Sequence, residues 1–217
     1  MLQALSKEWT IVPAHRGYLR HRANRDAWRA LGEGLLDRKL ALLGLWGDGD
    51  AVHAAIYDVG TRDFAVISQP VLEGRAASLG VFHAPAIRLE RAIQDLFGIE
   101  FVALPDRRPW LDHGQWPVST PLATAPAPPR PPSGPPQFLR AEGPHLHRIP
   151  VGPVHAGIIE PGHFRFTAHG ETVVRLEARL GYVHKGIEQL MCGRSIAEAA
   201  PHAARVSGDS TVAYGWA

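Results

Sequence analysis

The chain has 217 residues, 45% of them hydrophobic and 20% charged, with a formal net charge of +2. That is the composition of a globular chain with room for one large or two small domains, and the charge is too small to imply nucleic acid or an acidic membrane surface. A single cysteine, Cys192, excludes an intramolecular disulfide, and excludes an iron–sulfur cluster or cysteine-rich zinc site built from this chain alone. No apolar run approaches the roughly 20 residues that span a bilayer, and the N-terminal stretch has no long apolar core of a signal peptide. The chain is expected to be cytosolic, with any membrane attachment made through partners.

Asn24 to Leu36 places Trp28, Leu31, Leu35 and Leu36 at helical spacing behind an Asn24 cap. Lys39 to Trp46 and Ala51 to Val59 are apolar segments flanking Gly47-Asp48-Gly49-Asp50, which predicts a β-hairpin, and Phe64 to Val71 predicts a third strand. The next helix lies between Pro85, suited to a first helical position, and Gly98, suited to the residue past the end. Its stripe is Leu89, Ile93, Leu96 and Phe97, with Glu90, Arg91, Gln94 and Asp95 expected on the polar face and Arg91 one turn from Asp95. A short strand, Ile99 to Ala103, follows.

Ser119 to Pro136 holds eight prolines among 18 residues, which removes amide donors and rules out a helix or a central strand. It reads as a linker that, if extended, reaches about 3 Å per residue. Beyond it, His163 to Ala168 and Thr172 to Leu180 predict two strands around His169-Gly170. Tyr182 to Glu188 opens a helix running towards Met191, and another starts near Ser195, where Glu198 has capping-box spacing. Pro201 predicts a kink or delayed start there, and Arg205 to Ala217 is expected to be helical. The fold class is therefore α+β: residues 1–118 form a small mixed sheet with packed helices, 119–137 a proline-rich linker, and 138–217 a β-hairpin with helices.

Leu89 to Pro117 resembles the signature of the C component of NADH–quinone oxidoreductase (complex I) and its relatives in membrane-bound hydrogenases. The residues that carry it are Asp95, Phe97, Gly98, Ile99 and Phe101, then Pro105, Asp106 and Arg108. The resemblance implies a docking protein with no cofactor of its own. Asp106, Arg107, Arg108, Trp110 and Trp116, with Asp112 and His113 between, make a charged aromatic exit segment. Arginine and tryptophan favour interfaces, so the segment reads either as a partner interface or as a lid on its own domain.

Four strings in the second half resemble the N-terminal part of energy-converting hydrogenase large subunits and of the homologous D component of complex I. They are Gly152–His155, Glu160–Phe166, Tyr182–Glu188 and Arg205–Ser210. Ser207 and Ser210 stand where the hydrogenase pattern has its first cysteine pair, and a serine hydroxyl is a poor ligand for nickel or low-spin iron. The family's large subunit also continues well past the position of Ala217, which points to a truncated gene product or a split subunit. The resemblance to the D component implies a quinone site near His155, His163, His184 and Arg205, with Ser207, Asp209 and Ser210 beside it. Histidine suits proton donation to a reduced quinone near neutral pH. For Ser207 and Ser210 a plain polar helix face and an oxygen-ligated metal with Asp209 remain open beside that reading.

Seven histidines lie between His145 and His202, but only His145 and His147 are closely spaced, so no metal site is assigned. No Gly-x-Gly-x-x-Gly or Walker motif points to direct NADH binding. The expected function is a non-metal-binding structural or electron-transfer-supporting subunit of a membrane-associated NADH–quinone oxidoreductase or hydrogenase-like complex. It docks an iron–sulfur small subunit, and its contribution to a quinone site is left open. No complete active site is expected in the chain, no cofactor is expected to be its own, and iron–sulfur clusters and quinone are expected in partner subunits. The alternatives are the large subunit of a hydrogenase-4 or formate hydrogenlyase type of nickel–iron enzyme, or a truncated interaction protein without function.

Overall fold

The structure, a computed structural model, describes residues 2, 9–12, 20–131 and 137–216. It divides into two units, Met1–Pro109 with Pro117–Pro129, and Trp110–Trp116 with Arg130–Ala217. Both are mixed α and β.

In the first unit, strands β1 (Thr10–Ile11), β2 (Arg20–Arg22), β3 (Leu40–Gly47), β4 (Ala51–Asp58) and β5 (Phe64–Pro70) form one sheet ordered β1-β2-β5-β4-β3. The expected β3–β4 hairpin is closed by Asp48, whose Oδ1 accepts the backbone N–H groups of Asp50 (3.2 Å) and Ala51 (2.9 Å). Strand β5 pairs antiparallel with β4, and β2 joins its other edge in parallel. Strands β1 and β2 have two and three residues, too few for a hydropathy period to mark them.

Helix α1 (Arg25–Leu36) begins where its cap predicts, with the Asn24 side chain accepting from Ala27 N–H at 2.8 Å. It buries Trp28, Leu31 and Leu35 in one core with Val52, Ala54, Ile56 and Ile67 of β4 and β5. Because side chains alternate along a strand, His53 and Ser68 lie on the opposite face of the sheet. Helix α2 (Ala84–Phe97) has Pro85 in its first turn and ends at Gly98, whose φ of 74° is a left-handed conformation that glycine adopts without a Cβ clash.

The polar face expected for α2 is not a solvated one. Glu90 and Asp95 are buried, together with Ala86 and Ile93. The segment that follows β6 (Arg75–Ala77) covers that side: Glu90 accepts from Ser78 Oγ (2.6 Å), Leu79 N–H (2.6 Å) and Gly80 N–H (3.2 Å). Burial pushes the Glu90 carboxyl up to about 7, against the lowering effect of those three donors. Arg91 reaches Asp106 and the carbonyls of Arg108 and Pro109. The expected short strand is β7 (Glu100–Val102), which pairs in parallel with β6 and outside the main sheet.

The proline-rich stretch is not an extended strut over its first half. Ser119 and Ala127 exchange backbone hydrogen bonds of 3.0 and 2.9 Å, and Leu122 N–H donates to the Leu96 carbonyl at the end of α2. Ser119 and Thr120 are buried by this return. The non-proline residues supply the donors, so the segment folds onto its own unit; residues 132–136 of the expected linker lie outside the described residues.

The second unit carries a three-stranded antiparallel sheet of β8 (Leu146–Val151), β9 (His163–His169) and β10 (Thr172–Arg179), in the order β10-β9-β8. The expected hairpin is the β9–β10 pair. Strand β8, which includes His147, has no counterpart among the expected elements; as an edge strand it accommodates Pro150. Helix α3 (Ile187–Met191) is short, and α4 (Ile196–Ala203) has the full Ser195–Glu198 capping box. Pro201 sits inside α4, neither delaying its start nor ending it.

Arg205 to Ala217 is not one helix. Ser207 is extended at φ −142°, Gly208–Ser210 is a 3-10 turn, and α5 (Thr211–Trp216) follows. Ser207 therefore precedes the turn and Ser210 is its last residue, so the two share no α-helical face. Among the described residues the only buried hydrophobic side chain of this unit is Ala168, while Val154 (91%), Ile158 (89%), Ile196 (91%) and Trp216 (90%) are almost fully exposed.

Candidate functional site

The Pro105-Asp106-Arg107-Arg108 corner belongs to the first unit and binds itself. Asp106 Oδ1 accepts Arg108 N–H, its Oδ2 meets the Arg108 guanidinium at 2.6 Å, and Arg91 stands at 3.1 Å. Burial works to raise the Asp106 carboxyl, but the Arg108 side chain and N–H, with the charges of Arg91 and Arg108, hold it below its ordinary value. Asp106 and Arg108 thus act as a clasp on α2. Arg107 is half-exposed and pairs with Glu100 at 3.2 Å.

Trp116 belongs to the second unit, where its ring stacks on His184 with centroids 4.6 Å apart and planes 20° from parallel. An expected interface residue and an expected quinone-site residue therefore form one surface. The backbone makes this contact possible at Gly181: φ is +93°, and a Cβ there would meet the Leu111 carbonyl oxygen at 3.0 Å. Asp112, in the Trp110–Trp116 strap of the second unit, is buried and accepts Gly114 N–H at 2.9 Å. Trp110 is half-buried.

His155 and His163 occupy the loop between β8 and β9 and the first residue of β9. His163 Nδ1 lies 3.1 Å from the Gly152 carbonyl and so must carry the proton to donate to it, which leaves Nε2 as the free nitrogen. His155 is the reverse case: Nδ1 accepts Gly157 N–H at 3.1 Å, which assigns the proton to a buried Nε2 without a partner among the described residues. The ring of Phe138 meets His163 edge-on at 5.5 Å and carries the Arg165 guanidinium 4.1 Å from its centroid.

Arg205 and Asp209 are exposed, and Ser207 and Ser210 half-buried. Among the described residues no hydrogen bond or ion pair joins these four to His155, His163 or His184. What the sequence expectation missed is Lys185. Its ammonium stands 3.5 Å from Glu160 Oε1 and 3.4 Å from the Val206 carbonyl. It thus ties the β8–β9 loop to the residue before Ser207, beside the His184–Trp116 stack. Both Lys185 and Glu160 lie in the strings that carry the resemblance; only the fold gives them a shared role.

The donor set does not fit a nickel–iron centre. Ser207 and Ser210 offer neutral hydroxyls, and Cys192 is exposed at the end of α3. Among the described residues no three His, Cys, Asp or Glu side chains are grouped to hold a metal ion.

A second polar cluster, in the first unit, escaped the sequence expectations altogether. His53 is buried, with Nε2 2.8 Å from Asp48 Oδ2 and Nδ1 2.9 Å from Ser68 Oγ. Arg20 donates to Ser68 Oγ (3.0 Å) and approaches His53 Nδ1 (3.3 Å). Arg20 brings only donors, so Nδ1 accepts and Nε2–H donates to Asp48. Burial lowers the His53 imidazole below its ordinary value, outweighing Asp48, which raises it, and Arg20 adds to the lowering. Asp48 was legible as a turn residue, but Arg20, His53 and Ser68 meet only through strand register.

No protein-family model matches the chain. It is 33% identical over 147 residues to hydrogenase-4 component G of Escherichia coli (strain K12), a match covering 64% of this chain and 24% of that protein. It is 34% identical over 110 residues to formate hydrogenlyase subunit 5 of the same organism, covering 46% of this chain and 19% of the relative. The chain is homologous to both. It is thus related to a hydrogenase component and a formate hydrogenlyase subunit, and spans about a quarter or less of the length of these relatives. A solved trypsin-resistant fragment of Nqo5 aligns with 48% of this chain and 93% of its own, at 21% identity and a TM-score of 0.41. Among the described residues no helix is long and apolar enough to cross a membrane.

Proposed function

We propose that this chain is a structural subunit, or a segment of one, in a membrane-associated hydrogenase-like or NADH–quinone oxidoreductase-like complex. It docks an iron–sulfur small subunit and binds no nickel–iron centre itself. The observation that carries the reading is the pairing of homology to hydrogenase components with serine at both Ser207 and Ser210. Electron-carrying cofactors, iron–sulfur clusters and quinone, belong to partner subunits, and the chain sits peripherally on the cytoplasmic side of the membrane through them.

Among the described residues the second unit buries a single hydrophobic side chain, Ala168, and so small an apolar core of its own supports a docking role for it. Within it, Trp116 and His184 offer a flat aromatic wall and Lys185 a cation beside it. His163, oriented through Nδ1, is left with Nε2 to hold or pass a proton. These residues line part of a quinone-facing wall in the assembled complex. Asp106 and Arg108 hold the corner that leads into the Trp110–Trp116 strap, and Arg107 stays on the surface to meet the partner.

Co-expression with an iron–sulfur small subunit tests this. The two should co-elute on size exclusion, with iron in the small subunit and no stoichiometric nickel. Stoichiometric nickel bound to the purified chain would favour the hydrogenase large-subunit reading, and failure to associate would remove the docking role.

A further inference from the structure

The first unit has a cavity of about 680 Å³ between the first two turns of α1 and the β6–β7 pair. That volume falls within the range of roughly 300–1,000 Å³ typical of small-molecule sites. Its walls are mainly apolar and include Trp28, Leu72, Val81, Phe82 and Val102. Leu72 (69%), Val81 (50%) and Val102 (45%) leave much of their hydrocarbon exposed. Three arginines, Arg25, Arg29 and Arg75, line the same cavity against one carboxylate, Asp26.

The geometry points to a binding site for an amphipathic carboxylate, its hydrocarbon body against these walls and its head among the arginines. The polar side chains of the interior are already engaged. Gln69 bonds both the N–H and the carbonyl of Ala77 (3.2 and 3.4 Å), and Ser78 donates to Glu90. A hydrocarbon chain asks nothing more of that interior. A peptide backbone would bring N–H and C=O groups needing partners there, so the walls favour a lipid-like body over a polypeptide segment. Arg25 makes no ion pair or hydrogen bond among the described residues. Arg29 and Arg75 hold only exposed pairs, with Glu33 and Glu100 at 3.1 Å each. Such pairs contribute little, so a ligand carboxylate displaces them at small cost.

Calorimetric titration of the full chain with decanoate, below its micelle concentration, should give saturable binding of one molecule per chain. The Arg25→Gln/Arg75→Gln double variant should weaken it at least tenfold, and Val81→Trp, which fills the cavity from a half-exposed position, should abolish it while circular dichroism remains unchanged. Decyltrimethylammonium, with an equal tail and the opposite charge, should not bind at this site. Equal binding of decanoate and the ammonium compound, or decanoate binding that survives both variants, would reduce the effect to apolar adsorption and overturn the assignment. Absence of saturable decanoate binding would overturn it too, and binding of a glutamate- and leucine-rich peptide in its place would make the cavity a partner-docking site.

Discussion

Replacing Glu90 by glutamine should remove a pH-dependent loss of stability that the wild-type protein carries. Glu90 is fully buried, and its carboxyl is raised from 4.5 to about 7 by burial. Below pH 4.5 the folded and unfolded chains both hold this proton, and the group costs nothing. As pH rises from 4.5 towards 7 the unfolded chain releases the proton while the native state keeps it, so stability falls, and above 7 the loss is complete and level. A carboxyl moved that far withdraws about 3 kcal/mol from the native state at high pH. Glutamine preserves the geometry: its oxygen accepts from the N–H groups of Leu79 and Gly80, and its amide donates to Ser78 Oγ. Urea unfolding followed by far-ultraviolet circular dichroism at pH 4 to 8 reads the difference. Stability of wild type minus variant should decline by about 3 kcal/mol across that range, with most of the change between 4.5 and 7. A difference that stays flat, or one that grows with pH, would refute the claim that burial dominates the three donors.

Ile93 is 3% exposed on α2, so Ile93→Ala should cost about 2–5 kcal/mol, while half-buried Phe97 should cost less than the 3–5 kcal/mol expected of a fully buried ring. Chemical denaturation of the two variants would reverse this ranking if the stripe were centred on Phe97. His53 should titrate below its ordinary value of 6.5 in imidazole NMR, with Nε2 carrying the proton of the neutral ring. Because the unfolded chain takes up its proton first, stability should be lost as pH falls from 6.5 through the native value, and His53→Gln should lack that loss. A midpoint above 6.5 would mean that Asp48 outweighs burial. Trp116→Ala should raise amide exchange at Gly181 to Lys185 and leave β3–β5 unchanged; unchanged protection at Gly181 would rule out the stack as what holds that segment.

How much was legible in the sequence follows the distance over which each signal acts. Asn24, Gly98 and the Ser195–Glu198 box mark helix ends through bonds to residues a few positions away and stand where expected, while Pro85, whose ring fixes φ, falls one residue later than the first helical position. Asp48 likewise folds the β3–β4 turn within its own tetrapeptide. By contrast, periodicity put Glu90 on a solvated face because it cannot see the Ser78–Gly80 segment that closes over it. The proline run read as an extended tether because composition gives no sign that Leu122 will find the Leu96 carbonyl. Ser207 and Ser210 looked helical from their spacing, yet Ser207 is extended and Ser210 ends a 3-10 turn.

The sequence alone determined the mixed α and β character, the helix termini and the absence of thiolate donors at positions 207 and 210, since each is a property of local residue identity. Only the tertiary structure decided that Trp116 faces His184, that Lys185 holds Glu160 and the Val206 carbonyl, and that Arg20, Asp48, His53 and Ser68 converge. Those contacts join residues far apart in the chain. Their partners are selected by strand register, close backbone approach and burial, none of which is encoded in any one segment.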